Sequence, residues 1–261
     1  MNSPLTIFVG SFVALCVAAQ LGQFMRRSRG DLDDRARHDF DLVLGATLTL
    51  LGLVIGFTLS MADNRYEQRK NYEEEEANAI GTEYLRADLL PAADAQKVKP
   101  LLVKYLDLRI AYYNTTNADQ LQEINVSTAQ LESSLWLAVK SPAAANQTSV
   151  VSLAVAGMND VINSEGYTQA AWRNRVPAAA WFLLIIIGIC ANLLMGYGAR
   201  SSGKSARWLL ALPLIVSISF LLIADIDSPR GGVIRIHPTN LTSLSQSLRE
   251  VHQDSSSQPS F

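Results

Sequence analysis

The stretch Gly198-Ala199-Arg200-Ser201-Ser202-Gly203-Lys204-Ser205 fits the G-x-x-x-x-G-K-S phosphate-loop pattern letter for letter. Such a loop holds phosphate only between a strand and a helix, where backbone N–H groups converge at the helix N-terminus. Here it joins two long apolar stretches, and nowhere does the chain show the sustained period-two alternation of a strand. Nucleotide binding is not expected. The three histidines, His38, His237 and His252, are scattered through loops and tail, and no nucleophile has a visible base. Cys16 and Cys190 both lie inside apolar stretches and read as small buried residues. Neither an enzyme nor a cofactor or metal site is expected.

Three other constellations carry physical meaning. Asp63, Glu67 and Glu74 fall nearly in line on one helical face, within an acid run that includes Glu73, Glu75 and Glu76. Such a run is either a solvated face or, on a helix around a symmetry axis, a set of acidic rings that attract cations. A divalent site would need several converging oxygens, and one helical run supplies only neighbours. Next, Gly52, Gly56 and Ser60 repeat every fourth residue, with Gly45 one heptad upstream. Small residues at this spacing let helix backbones approach, within a subunit or between subunits. Around an axis, Thr47, Thr49 and Thr58 would add weak polar lining, and Leu53, Phe57 and Met61, at i, i+4 and i+8, would form a constriction. Finally, Asp225 and Asp227 close one apolar stretch, Arg65 follows another, and Arg173 and Arg175 precede a third. Acids at a membrane boundary pair or reach water. A clamp is expected in which one of these acids meets Arg65, Arg173, Arg175 or Arg230, with simple interfacial solvation as the alternative.

Four apolar stretches position these groups: 5–24, 42–62, 178–197 and 209–224. A helix rises about 1.5 Å per residue, so roughly 20 apolar residues cross a hydrocarbon core of about 30 Å. In lipid the backbone must satisfy its own hydrogen bonds, so each stretch is helical. The first lacks a basic n-region and is followed by Arg26, Arg27 and Arg29, so it is expected to stay as a span rather than be cleaved. The expected architecture is all-α: a hairpin of two transmembrane helices (1–62), an extramembrane helical bundle (63–176), a second hairpin (177–226), then a turn, a short amphipathic segment and a disordered tail (227–261).

Inside the bundle, the second span is expected to run on into water, with Ala77, Ile80, Tyr84 and Ala87 as a stripe, until Leu90-Pro91 ends it. A second helix carries Val98, Leu101, Leu102, Tyr105, Leu108 and Tyr112, with Pro100 near its start. A third places Leu121, Ile124, Leu131, Leu135 and Ala138 on one face, capped by Asp119 and closed by Ser141-Pro142. A fourth starts at Thr148, carries Val151, Ala154, Met158 and Val161, and breaks near Gly166. After the turn, Leu241, Leu244, Leu248 and Val251 mark an amphipathic segment.

A net charge of −2 argues against nucleic acid as a partner. Short loops decide orientation more than long segments do. The arginine-bearing loops 26–41 and 198–207 are therefore expected in the cytoplasm and the bundle outside, in a cell inner (plasma) membrane. The partners expected are the lipid bilayer, further copies of the chain and, if it conducts, ions.

Two blocks resemble a family of bacterial membrane proteins known as bestrophin-like. One comprises Leu51-Gly52-Leu53-Val54-Ile55-Gly56-Phe57, Asn64-Arg65-Tyr66-Glu67-Gln68-Arg69, Glu75-Glu76-Ala77-Asn78-Ala79-Ile80 and Tyr84-Leu85-Arg86. The other is Asp225-Ile226-Asp227-Ser228-Pro229-Arg230-Gly231-Gly232-Val233-Ile234-Arg235. A looser likeness to bestrophin channels rests on Gly56-Phe57 and Asn64-Arg65-Tyr66, with Glu67 standing where those channels carry an aromatic. That resemblance implies a pentamer with the second span lining an anion pore. The acids after this span would repel anions, and bestrophins keep the inter-hairpin helices cytoplasmic, opposite to the orientation weighted by charge. Two readings follow: an oligomer of ion-channel-like build, or a non-conducting anchor, sensor or scaffold whose bundle binds a partner.

Overall fold

The computed structural model describes residues 4–29, 33–199 and 209–257, and no strand occurs among them. The helices are α1 (Pro4–Arg29), α2 (Asp34–Arg86), α3 (Ala92–Asn114), α4 (Ala118–Ala145), α5 (Ser149–Arg173), α6 (Ala178–Gly198), α7 (Ala211–Asp227) and α8 (Thr239–Ser257), with a 3-10 turn at Ala87–Leu89. The loop match Gly198–Ser205 lies outside the described residues from Arg200 onward.

α2 is one helix of 53 residues. It contains no proline, and past Ala62 it is rich in Glu, Arg, Ala, Gln and Lys, which favour the helix by propensity. Pro91 stops it by forcing Leu90 into extended backbone, φ −81° and ψ 161°.

Three stretches are helical and apolar enough to cross a membrane by length and composition: Pro4–Ser28, Asp34–Leu89 and Ser149–Gly198. α7 has 17 residues, which is about 25 Å, short of a hydrocarbon core of about 30 Å. The described fold therefore carries three candidate spans where four were expected.

The chain divides into two compact units, one of Met1–Tyr66 with Arg175–Arg235 and one of Glu67–Asn174 with Ile236–Phe261. In the first, Leu15, Leu51, Leu184, Ile187, Val216 and Phe220 form the core. α1 lies directly on α6 because two glycines leave room. A Cβ on Gly22 would meet the backbone of Leu193 and Tyr197, and one on Gly196 would run into the carbonyl of Ala19. Arg26 then donates to the carbonyls of Tyr197 and Gly198, both at 3.1 Å, capping the C-terminus of α6. Close packing thus falls on the glycines of α1 and α6.

The second unit buries Ile80, Leu102, Leu106, Leu135, Val139 and Met158 between α2, α3, α4 and α5. Tyr112, Tyr113 and Trp172 meet edge to face around one point, with ring centroids 5.3–5.7 Å apart. α8 seats Leu241 in this core and Leu244 over Gly81.

Several boundaries differ from the sequence expectation. α4 is capped by Asn117, whose Oδ1 accepts from Asp119 N–H (2.8 Å) and Gln120 N–H (3.3 Å), because Asn117 stands just before the first helical residue. α4 runs through Ser141-Pro142 to Ala145, since Pro142 is itself buried in the packing. α3 starts eight residues before Pro100, which sits inside it. α5 continues past Gly166 to Arg173. A helical glycine costs only about 1 kcal/mol, and burial of Thr168, Ala171 and Trp172 beyond it outweighs that. α8 extends to Ser257, into the stretch from His252 expected to be disordered; residues 258–261 lie outside the described residues.

Gly196→Ala should therefore force α6 off α1, because the obstacle is backbone rather than a movable side chain. A loss of about 1–3 kcal/mol is expected. It would be read as a lower melting temperature of the detergent-solubilised protein, with Gly10→Ala, where a Cβ meets nothing, unchanged.

Candidate functional site

Within the first unit, one face of α2 is uncovered. Cβ atoms added at Gly45, Gly52 or Gly56 would meet nothing within 4 Å. Leu53 and Phe57 on the same stripe are 52% and 63% exposed, and Ser60 and Asp63 are exposed as well. The opposite face packs Leu51 and Ala62 into the core, and Met61 rests against that core. Leu53 and Phe57 therefore share the open stripe while Met61 turns away from it. At 3.6 residues per turn, a spacing of eight residues drifts about 80° around the helix. Thr47, Thr49 and Thr58 donate their hydroxyls to the carbonyls of Val43, Gly45 and Val54, at 2.8–2.9 Å. These side chains bond their own helix, and only their oxygen lone pairs remain to offer.

The turn after α7 is tied by its two aspartates. Asp225 accepts from Val233 N–H and Ile234 N–H, one on each carboxylate oxygen, both at 2.8 Å. A Cβ on Gly232 would come within 2.7 Å of the Asp225 carbonyl and carboxylate, so glycine is required there. Asp227 Oδ1 accepts from Val176 N–H at 2.9 Å, and its main-chain carbonyl accepts from Arg175 Nη1 at 2.5 Å. Arg175 and Asp227 are thus brought together, through the carbonyl rather than carboxylate to guanidinium. Arg173 instead donates to Gln169 of its own helix at 2.9 Å. Arg65 is half-buried, its Nε without a hydrogen-bond partner among the described residues, and Arg230 is half-buried in the turn.

In the second unit the acid run of α2 splits by face. Glu67 and Glu74 are exposed, with Glu67 3.7 Å from Lys70. Glu73 and Glu76 are buried. Glu73 accepts from Leu241 N–H at 3.0 Å and Asn240 Nδ2 at 2.7 Å, a carboxylate cap on the N-terminus of α8. Glu76 receives Arg109 Nε, the Tyr113 hydroxyl at 3.2 Å and the Thr168 hydroxyl at 3.1 Å. Arg109, wholly buried on α3, also reaches Glu165 of α5 at 3.4 Å. Tyr105 donates to Glu132 of α4 at 3.2 Å. Arg69 donates to the carbonyls of Ala171 (3.1 Å) and Asn174 (2.9 Å), capping α5.

Burial works against the charge of Arg109, yet Glu76 more than offsets it and holds the guanidinium firmly protonated. Burial, then the charge of Glu165, pushes Glu132 up to about 7. Burial likewise pushes Glu83, wholly enclosed on α2, up to about 8.

These buried charges were missed as individuals, although a signal existed. Glu73, Glu76 and Glu83 interleave with Ala77, Ile80, Tyr84 and Ala87 at helical spacing, and Arg109 sits four residues after Tyr105 and three before Tyr112. A charge on an apolar stripe marks a buried partner. Among the described residues, no three His, Cys, Asp or Glu are grouped to hold a metal ion.

An all-helical protein with apolar helices of membrane length is the class these features define. The family model for the bestrophin-like domain matches residues 6–241, and the chain belongs to that family. The likeness read from the α2 blocks and the 225–235 turn is borne out. A crystal structure of a bacterial bestrophin homologue from Klebsiella pneumoniae is similar at 16% identity, with a TM-score of 0.65, covering 99% of this chain and 100% of that one. Another structure of the Klebsiella pneumoniae homologue gives 15% identity and a TM-score of 0.64 over 94% and 97%. A structure described as a membrane protein gives 14% and 0.63 over 96% and 98%. At such identities the likeness shows a shared fold. Comparison with curated proteins gave no match.

Arg109→Met should cost about 3–5 kcal/mol, because it leaves Glu76 buried and uncompensated. The double variant Arg109→Met with Glu76→Gln should recover much of that loss. Thermal unfolding of the purified chain across this cycle checks the pair.

Proposed function

We propose that the chain is an oligomeric integral membrane protein of ion-channel-like build. It crosses the bilayer four times in two hairpins, and the uncovered face of α2 frames an axis shared by several copies. The observation that carries this reading is the open stripe of Gly45, Gly52, Leu53, Gly56, Phe57 and Ser60. A membrane helix that shows glycines to nothing among the described residues has room for a neighbour's backbone or for a water-filled path. Leu53 and Phe57 would narrow that path. α7 can serve as the fourth span because a short hydrophobic stretch is accommodated by local thinning of the bilayer.

Membership of the bestrophin-like family supports the channel reading. The exposed acids Asp63, Glu67 and Glu74 support a preference for cations over anions, since rings of carboxylates concentrate cations. The aspartates at 225 and 227 act in this reading as ties that hold the hairpin ends, and residues 63–176 form the extramembrane bundle.

Purified protein reconstituted in planar bilayers should carry current, and Phe57→Ala should raise the unit conductance. Asp63→Asn with Glu67→Gln should shift the reversal potential in a salt gradient toward that of chloride. Single cysteines at Leu53 or Phe57 should cross-link between copies, whereas one at the buried Thr58 should not. Absence of current together with a monomeric mass in detergent would overturn the reading and leave a non-conducting anchor.

A further inference from the structure

Glu83 lies on α2 in the second unit and is wholly buried. Neither of its carboxylate oxygens has a hydrogen-bond partner among the described residues. An ionised carboxylate there would give up its hydration without compensation, so the neutral acid is favoured. α5 covers it at Gly157. A Cβ on Gly157 would collide with Glu83 Oε2 and come within 2.7 Å of Arg86 Nη1, so the backbone of α5 lies directly on the ends of these two side chains. The charged groups around Glu83 are few. Arg86, one turn on, is 4.0 Å from Asp160 of α5. Asp88 of the 3-10 turn is held by Lys99 of α3 at 2.7 Å. Arg86 is therefore shared between Asp160 and Glu83, and Lys99 is engaged by Asp88.

We propose that Glu83 is a proton-operated latch between α2 and α5. Protonated, it is a neutral surface on which Gly157 rests. Ionised, it draws water into the contact and lifts α5 from α2. Burial pushes the group up to about 8, with Arg86 opposing and Asp160 assisting. A Glu83 exposed by opening returns to the ordinary value of 4.5. Between those two values the closed contact holds a proton that the open one releases. The hold of α5 therefore weakens as pH rises through that window, and above about 8 it changes no further.

Hydrogen exchange of peptides from residues 149–173 tests this on the full-length protein in detergent, with intrinsic exchange rates divided out. In wild type the opening equilibrium of α5 should rise by up to about tenfold per pH unit between pH 5 and 7.5 and level off above 8. Glu83→Gln should lose most of that rise, keeping only the shallower part that Glu132 of α4 contributes through Glu165 of α5. Asp160→Asn removes the assisting charge, so levelling should begin at lower pH, an effect that a purely structural role would not produce. Glu132 of α4, pushed up to about 7 by burial and by Glu165 of α5, titrates in the same window and is intact in both variants, so the difference between wild type and Glu83→Gln isolates Glu83. A flat wild-type profile, an unchanged slope in Glu83→Gln, or an unmoved levelling point in Asp160→Asn would overturn the latch. No current is measured, so the outcome is separate from the channel reading.

Discussion

A backbone that keeps its hydrogen bonds to itself is the constraint on which this structure rests. Lipid offers no partners for N–H and C=O groups, so apolar stretches of membrane length have only the helix open to them. The constraint does not end where the apolar residues do. In α2 the helix carries straight on into a run of glutamates and arginines, because no proline or run of glycines gives the backbone another option. One element therefore joins an apolar stretch of membrane length to a charged run, with its side chains rather than its backbone registering the change.

That change creates the second problem of the fold, charge on a buried stripe. Four acids and two arginines of the helical unit lie fully or nearly fully buried: Glu73, Glu76, Glu83, Arg69, Arg109 and, less completely, Glu165. Most are satisfied in full. Glu73 and Arg69 cap helix termini, where carboxylate and guanidinium meet the unpaired N–H and C=O groups. Glu76 and Arg109 neutralise each other and recruit two hydroxyls. Breaking one partner of such a set costs more than its presence contributes, so these groups specify the arrangement of the helices more than they strengthen it. Glu83 departs from the pattern, enclosed and without a hydrogen-bond partner among the described residues.

The unit that carries α1, α6 and α7 solves packing differently. Without a hydrophobic drive between helices in lipid, contact area and small residues decide which helices touch. Gly22 and Gly196 place α1 against α6 at backbone distance, whereas Gly45, Gly52 and Gly56 of α2, with the better-known spacing, face nothing among the described residues. Small-residue spacing indicates where backbones can approach, and only the tertiary contacts reveal which opportunities the chain itself uses.

Helix type, the membrane-length stretches, the stop at Leu90-Pro91 and the family were legible in the sequence, since each rests on a local cause: apolar length, proline stereochemistry or a contiguous signature. The ends of α4 and α5 were not, because burial of Pro142 and Trp172 overrides the local preference to break at Pro142 or Gly166. Nor was the fate of each acid between 73 and 76, where one step around the helix separates water from the core. The sequence by itself determined that the regular elements are helices and that some are long and apolar enough to cross a bilayer. The tertiary structure alone decided which charges are enclosed, what each of them meets, and which face of α2 is left open, because those outcomes depend on neighbours brought together from distant parts of the chain.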